Sequence, residues 1–248
     1  MNIKLISGNQ LKILAAIFMV IDHIGLMFFP SMIIFRCIGR LSMPIFAFMI
    51  SEGAKYTKNK LKYFLSVFIL AVICQTVYYF ADGGSLYMSI LVTFSISILL
   101  IYALDYFKKT CFSDTASIYE KVLSGVVFVL GVIVTYILNK HLTIDYGFVG
   151  CIMPLLASLF NFKDISAPKI LKRLDCIPLR VLCLGVGVVC MAIIKGAAFV
   201  WWALLAIPLL LLYSEKRGIW KMKYFFYLFY PLHLAALEGI YILTKIIQ

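Results

Sequence analysis

Two ionisable side chains interrupt the first long apolar segment of the sequence. Asp22 and His23 are adjacent within residues 11–29, which are otherwise almost entirely apolar. A charged group near the middle of a bilayer costs about 2.5–3.5 kcal/mol, so such residues usually face a polar interior and have a function. Because an imidazole suits general-base catalysis near neutral pH, His23 is the first candidate for a catalytic base.

Asp22 is predicted to assist His23 indirectly, because adjacent residues of a helix point about 100° apart. The next apolar segment carries Arg36 and Arg40, whose spacing of four places them on one helix face. Paired guanidiniums suit a carboxylate, a phosphate or the developing oxyanion of acyl transfer. We therefore predict catalytic roles for Asp22 and Arg40 and substrate binding by Arg36. In the alternative, the arginines only neutralise Asp22 and Glu238 or extend outward to the membrane surface, and Asp22 and His23 are structural residues that lock the helices together.

The last apolar segment also carries polar residues, and the most economical arrangement packs the first, second and last apolar segments around a common polar cavity. Tyr230 and His233 are three residues apart and share a helix face, and Pro231 leaves the carbonyl of Tyr227 without its helical donor. His233 is a second candidate base, and Tyr230 and Tyr227 are candidate substrate-binding residues. Glu52 lies at the predicted C-terminus of the second helix, where the dipole disfavours an acid, so a partner or a substrate-binding role is expected.

The segments that carry these residues are long and apolar. Of the 248 residues, 64% are hydrophobic and 14% are charged, which predicts an all-α polytopic membrane protein with one integral membrane domain over residues 1–248. No small-residue cleavage site follows the first segment, so it is expected to be a retained helix. The nine predicted spans are 11–29, 32–52, 62–80, 86–105, 121–138, 146–160, 180–194, 198–213 and 224–244.

The net charge of +12 is explained by topology and does not indicate a nucleic-acid partner. Lysine and arginine fall mainly in every second connection between the predicted spans, as in proteins that keep basic loops in the cytoplasm. This predicts a cytoplasmic N-terminus, an external C-terminus and a location in the bacterial cytoplasmic (inner) membrane. The seven cysteines are scattered without metal-ligand spacing, so no metal site is predicted.

Several of these residues form a pattern that resembles the TraX family. The resemblance runs in order from about residue 9 to residue 240. The matching motifs are Leu11-Lys12, Ile21-Asp22-His23-Ile24-Gly25, Gly39-Arg40, Pro44-Ile45-Phe46-Ala47-Phe48, Glu52-Gly53, Asp145-Tyr146-Gly147-Phe148 and the run from Tyr224 to His233. The founding member is implicated in acetylating the N-terminus of conjugative pilin, and the family is similar to a wider group of transmembrane acyltransferases.

The resemblance implies an acetyltransferase that moves acetyl from cytoplasmic acetyl-CoA to an amine or hydroxyl of a membrane or extracytoplasmic acceptor. The acceptor would be a pilin-like peptide N-terminus or an envelope sugar. His23 would be the base, Arg40 or Tyr230 would stabilise charge, and His233 would be the second candidate base. Basic residues of the cytoplasmic loops would bind the phosphates of CoA, namely Lys55, Lys58, Lys172, Arg173 and Arg180.

Two other classes of function are compatible with the sequence. A proton-coupled transporter or permease would use Asp22, His23 and Arg40 as a relay. A non-catalytic membrane assembly partner would need these residues only for its structure, and would tolerate charge-conserving substitutions at His23 and Arg40. The sequence does not determine the acceptor or the oligomeric state. It also does not decide between direct transfer and an acyl-histidine intermediate.

Overall fold

A computed structural model describes residues 5–81, 87–219 and 222–247, and this part of the chain is α-helical without a β-sheet. The elements are α1 (Gly8–Met27), α2 (Ile33–Gly39), α3 (Ser42–Tyr56), α4 (Lys60–Ala81), α5 (Ile90–Cys111), α6 (Ile118–His141), α7 (Gly147–Ser158), α8 (Lys169–Arg173), α9 (Ile177–Lys195), a 3-10 helix (Ala198–Leu205), α10 (Ala206–Leu211) and α11 (Lys223–Ile247).

These helices make the chain a helical multi-pass membrane protein, as predicted. Among the described residues, six helical stretches are long and apolar enough to cross a bilayer: Gly8–Met27, Ile33–Tyr56, Lys60–Tyr79, Ile90–Cys111, Ile118–His141 and Ile177–Lys195. The helices at Gly147–Ser158 and Ala198–Leu211 are apolar but shorter. The count of nine spans and the orientation of the termini stay predictions.

The second predicted span is divided into two helices. Helix α2 ends at Gly39 and α3 begins at Ser42, so Arg40 and Leu41 form the break. Pro44 lies in the first turn of α3, where a missing N–H leaves no helical hydrogen bond unmade. Helix α3 then runs to Tyr56, past the C-terminus predicted near Glu52, so Glu52 is an internal residue of this helix.

The contacts within the chain define two compact units, Met1–Phe46 with Ala192–Gln248, and Ala47–Met191. In the first unit α1 packs against α2 and α11, and the 3-10 helix packs against α2. In the second unit α4, α6 and α7 pack against α5. Its core contains Ala54, Leu100, Ile101, Leu104 and Leu155. The single domain over residues 1–248 stays a prediction.

The position of α1 in the first unit is fixed at its N-terminus and along one face. Ser7 and Gln10 form a capping box, in which the Ser7 side chain accepts from the Gln10 N–H and the Gln10 side chain accepts from the Ser7 N–H. Farther along, the Ser42 hydroxyl donates to the Ala15 carbonyl at 2.8 Å. These contacts hold α1 in place and thereby fix Asp22 and His23.

Candidate active site

The first unit brings together the two histidines that the sequence places in separate apolar segments. The rings of His23 on α1 and His233 on α11 are in edge-to-face contact, with 5.3 Å between their centroids and 72° between their planes. His233 is buried and His23 is partly buried. Two candidate bases therefore lie next to each other in the first unit.

Each imidazole is oriented by the backbone of its own helix. Nδ1 of His23 lies 2.7 Å from the Met19 carbonyl, and Nδ1 of His233 lies 2.9 Å from the Phe229 carbonyl. Because a carbonyl only accepts, each Nδ1 carries a hydrogen, and in the neutral ring Nε2 is the nitrogen with the lone pair. Nε2 of His233 is buried and has no hydrogen-bond partner among the described residues. Both rings thus present the nitrogen that a general base requires.

Aromatic neighbours hold the His233 ring in place. Phe229 stacks on it with 4.8 Å between centroids and 8° between planes, and Tyr230 meets it edge-on at 5.7 Å. Tyr230 is buried, so the structure places it where the sequence predicts, beside His233. The Tyr227 side chain lies outside the described residues, and its role stays a prediction.

Asp22 forms an ion cluster with both arginines of the second apolar segment. Nη1 of Arg36 lies 2.9 Å from Oδ2, and Nη2 of Arg40 lies 2.7 Å from Oδ1 and 2.5 Å from Oδ2. All three side chains are at most about one fifth exposed. The carboxylate therefore holds α1 against α2. Because His23 follows Asp22 directly, these contacts also hold the backbone of α1 in place at His23.

Phe199 belongs to this cluster, and sequence reasoning missed it. Its ring lies 5.9 Å from the guanidinium carbon of Arg36 and 5.6 Å from that of Arg40, both within cation–π range. One phenylalanine in an apolar segment gives no hint of such a contact. Only the packing of the 3-10 helix against α2 places the ring on the two guanidiniums.

Gly39 allows the close approach of α2 to Asp22. A Cβ built on Gly39 would overlap the Cβ, Cγ and Oδ1 atoms of Asp22. We expect Gly39→Ala to destabilise the protein by about 1–3 kcal/mol, because overpacking forces a shift of α1 or of the Asp22 side chain. The measurement is the thermal unfolding midpoint of the purified protein in one detergent.

Gly239 provides a matched control for this substitution. It lies exposed in α11, and a Cβ at this position meets no atom within 4 Å. Gly239→Ala is expected to leave stability unchanged or to raise it by up to about 1 kcal/mol, since alanine is the better helix former. Equal midpoints for the two alanine variants would contradict the close contact at Gly39.

Glu52 lies in the second unit, where it pairs with Arg180 rather than with Arg36 or Arg40. Nη1 of Arg180 lies 2.5 Å from Oε1 of Glu52. The same guanidinium donates from Nη2 to the Ser51 hydroxyl at 3.2 Å and from Nε to the Ala157 carbonyl at 3.1 Å. Arg180 is only 1% exposed and Glu52 only 5%, so the two charges compensate each other in the interior of this unit.

The residues predicted to bind CoA phosphates all lie in the second unit and differ in exposure. Lys58, Lys172 and Arg173 are exposed. Lys55 pairs with Asp175 at 2.7 Å, and Arg180 is buried against Glu52. The first three can reach an anion in solution, whereas Lys55 and Arg180 already have carboxylate partners. CoA binding by all five stays a prediction.

The Asp145-Tyr146-Gly147 segment connects three parts of the second unit. The Tyr87 hydroxyl donates to Oδ1 of Asp145 at 2.6 Å, and the Thr93 hydroxyl donates to the Asp145 carbonyl at 2.8 Å. Tyr146 and Gly147 both have positive φ, at 60° and 64°, and form the turn into α7.

Comparison with known proteins identifies the family. A family profile described as TraX protein matches residues 7–241, which include the His23–His233 pair and the Asp22 cluster. This chain belongs to the TraX family. The matched range also contains Glu52 and Arg180, so the two buried polar groups of this TraX family protein both lie within the family region.

Individual relatives add little to this assignment. A segment of 67 residues of this TraX protein is 43% identical to an uncharacterized protein of Rickettsia prowazekii (strain Madrid E). The match covers 27% of the present chain and 25% of that protein, so the chain spans about a quarter of the length of the curated relative it matches. No solved structure matches the chain.

Proposed function

We propose that this TraX family protein is a membrane-embedded acetyltransferase that transfers acetyl from acetyl-CoA to an amine or hydroxyl of an extracytoplasmic acceptor. One observation carries the proposal: two imidazoles in contact, each with Nδ1 tied to a backbone carbonyl and Nε2 directed elsewhere. Leaving a buried Nε2 without a partner is unfavourable for a purely structural histidine. It suits a base that receives a proton from a substrate.

Acetyl transfer requires a group that first accepts a proton and later donates it, and one imidazole of the pair can do both. Nε2 of one imidazole removes the proton from the acceptor N–H or O–H as the nitrogen or oxygen attacks the thioester carbonyl. A C–N or C–O bond forms, the C–S bond of the tetrahedral intermediate breaks, and CoA leaves as a thiolate. The imidazolium returns the proton to the thiolate sulfur, so the pair ends the cycle uncharged.

The neighbouring polar groups support the same chemistry. In the proposed reaction Arg40 stabilises the negative charge that develops on the carbonyl oxygen, with the Tyr230 hydroxyl as the second candidate for that role. Asp22 keeps both guanidiniums in fixed positions, so these donors need little rearrangement as charge develops. Arg40 acts as a donor to the reacting oxygen and Asp22 as a positioning residue.

The donor and the location follow the prediction from the sequence. Acetyl-CoA is the proposed donor, entering from the cytoplasmic side of a bacterial inner membrane, with the N-terminus cytoplasmic and the C-terminus outside. Lys58, Lys172 and Arg173 are the exposed candidates for its phosphates. Acceptors that suit the proposal are peptide amines and envelope sugars.

The proposal is tested with the full chain purified into lipid nanodiscs. Acetyl-CoA labelled in the acetyl group is supplied with a peptide amine, or separately with an amino sugar. We expect free CoA thiol and labelled acceptor to appear in equal amounts and only in the presence of the protein. Uptake of a substrate into proteoliposomes without acetyl-CoA, together with no release of CoA thiol, would instead indicate a transporter.

A further inference from the structure

The Asp22 cluster carries more positive than negative charge. Two guanidiniums surround one carboxylate, so Asp22, Arg36 and Arg40 together carry a formal charge of +1. The groups are largely buried in a membrane-spanning region, where an unbalanced charge is unfavourable. An anionic ligand would restore neutrality and would bind more tightly there than in water.

Arg36 has N–H groups that Asp22 does not use. Its Nη1 donates to Oδ2 of Asp22 at 2.9 Å and to the Asp22 carbonyl at 3.4 Å. Within the described part of the chain, its Nε and Nη2 make no hydrogen bond. The Arg36 side chain is 22% exposed, compared with 12% for Arg40 and 13% for Asp22. A guanidinium with Nε and Nη2 open presents the edge that binds a carboxylate or phosphate through two parallel hydrogen bonds.

The position of Arg36 favours the acceptor over the acetyl donor. It belongs to α2, which follows the short connection at residues 28–32, at the end of α1 opposite to the capped Ser7. The distribution of lysine and arginine predicts that the Ser7 end of α1 is cytoplasmic. Arg36 would then lie toward the outer side, from which an extracytoplasmic acceptor arrives. Its contact residue Asp22 directly precedes His23 in α1, so Arg36 packs against the turn of α1 that also carries one of the two imidazoles.

We propose that the acceptor is an anionic molecule whose carboxylate or phosphate is bound by Arg36 while its amine or hydroxyl reaches the histidine pair. This inference rests on the proposed function and adds the chemical class of the acceptor. Arg36 binds the anionic group of the acceptor. Arg40, which contacts both oxygens of Asp22, keeps its proposed role of stabilising the negative charge on the oxygen of the reacting carbonyl.

The test compares acceptors that differ only in the anionic group. The probes are triglycine against its C-terminal amide, and glucosamine 6-phosphate against glucosamine. Binding of each probe to the full chain in nanodiscs is measured by calorimetry, and acetyl transfer is measured with saturating acetyl-CoA. Because a charge-assisted hydrogen bond contributes more than a neutral one, we expect the anionic member of at least one pair to bind about 10- to 100-fold more tightly.

Substitutions test whether Arg36 causes the preference for the anionic probes over the neutral ones. Arg36→Gln is expected to abolish the difference between the paired probes by raising the KM of the anionic one, with an unchanged KM for acetyl-CoA. Arg36→Lys keeps the charge but loses the paired donors, and is expected to retain only part of the preference. Arg217→Gln is the matched control, because Arg217 is exposed and remote in sequence from the site, and it is expected to keep the full preference.

The outcomes separate this inference from the proposed function. Equal binding of the anionic and neutral probes by the unsubstituted protein would overturn the inference, whatever the rate of transfer. A raised KM for acetyl-CoA in Arg36→Gln, with the acceptor preference intact, would also overturn it by assigning Arg36 to the donor. Preferential binding of the anionic probes without acetyl transfer would contradict the proposed function but would support an anion-binding site at Arg36.

Discussion

Replacing His23 or His233 with asparagine is expected to lower the rate of acetyl transfer by about 10²- to 10⁴-fold, the usual contribution of a general acid–base group. Asparagine keeps an N–H group near the position of Nδ1, so the hydrogen bond to Met19 or Phe229 can persist. It has no counterpart of Nε2, so it cannot accept the proton. The measurement is kcat for release of free CoA thiol, with the folded fraction checked by gel filtration.

The chain contains its own control for these substitutions. His141 is the third histidine and lies exposed at the end of α6, so His141→Asn is expected to leave the rate unchanged. If His23 and His233 act as one unit, the double variant is expected to be about as slow as the slower single variant. Full activity in both single variants would remove the pair from the mechanism.

Substitution of Arg180, in the unit Ala47–Met191, is expected to cause a large loss of stability. Arg180→Ala leaves Glu52 buried without its partner, and breaking a buried ion pair in this way typically costs about 3–5 kcal/mol. The loss is increased because the Ser51 hydroxyl and the Ala157 carbonyl also lose a donor. We expect a strongly lowered thermal midpoint, or failure to accumulate in the membrane.

Two further variants test the cause of this loss. Arg173→Ala removes an exposed arginine of the same unit and is expected to change stability by less than about 0.5 kcal/mol. The double change Arg180→Met with Glu52→Leu removes both charges and is expected to recover much of the loss, because apolar residues of similar volume often replace a buried ion pair without penalty. Similar midpoints for Arg180→Ala and Arg173→Ala would contradict the buried pair.

The polar residues of the site could be predicted from the sequence because a membrane makes them conspicuous. Asp22 and His23 stand out in an apolar segment, and the spacing of Arg36 and Arg40 already places both on one helix face. The helical fold follows from the same segments. Neutralisation of Asp22 by the arginines is one of the alternatives that the sequence allows, and in the structure both guanidiniums contact the carboxylate.

The partners of other residues could not be predicted, because they depend on how distant helices pack. The sequence predicts a common polar cavity for the first, second and last apolar segments. It predicts neither the contact between the His23 and His233 rings nor the position of Phe199 on the two guanidiniums. Glu52 is predicted to have a partner or to bind substrate, but the sequence does not identify Arg180 as that partner. The break at Arg40 and Leu41 also needed the structure, because Pro44 is compatible with a kink in one helix as well as with the start of another.

A structure of the full chain with CoA bound would show whether the histidine pair can receive the proton during acetyl transfer. We expect the CoA sulfur next to the His23–His233 pair, with Nε2 of one ring within about 3–4 Å of it or linked to it through one water. A CoA sulfur bound away from both imidazoles, in a complex that is active in solution, would exclude the pair from the reaction.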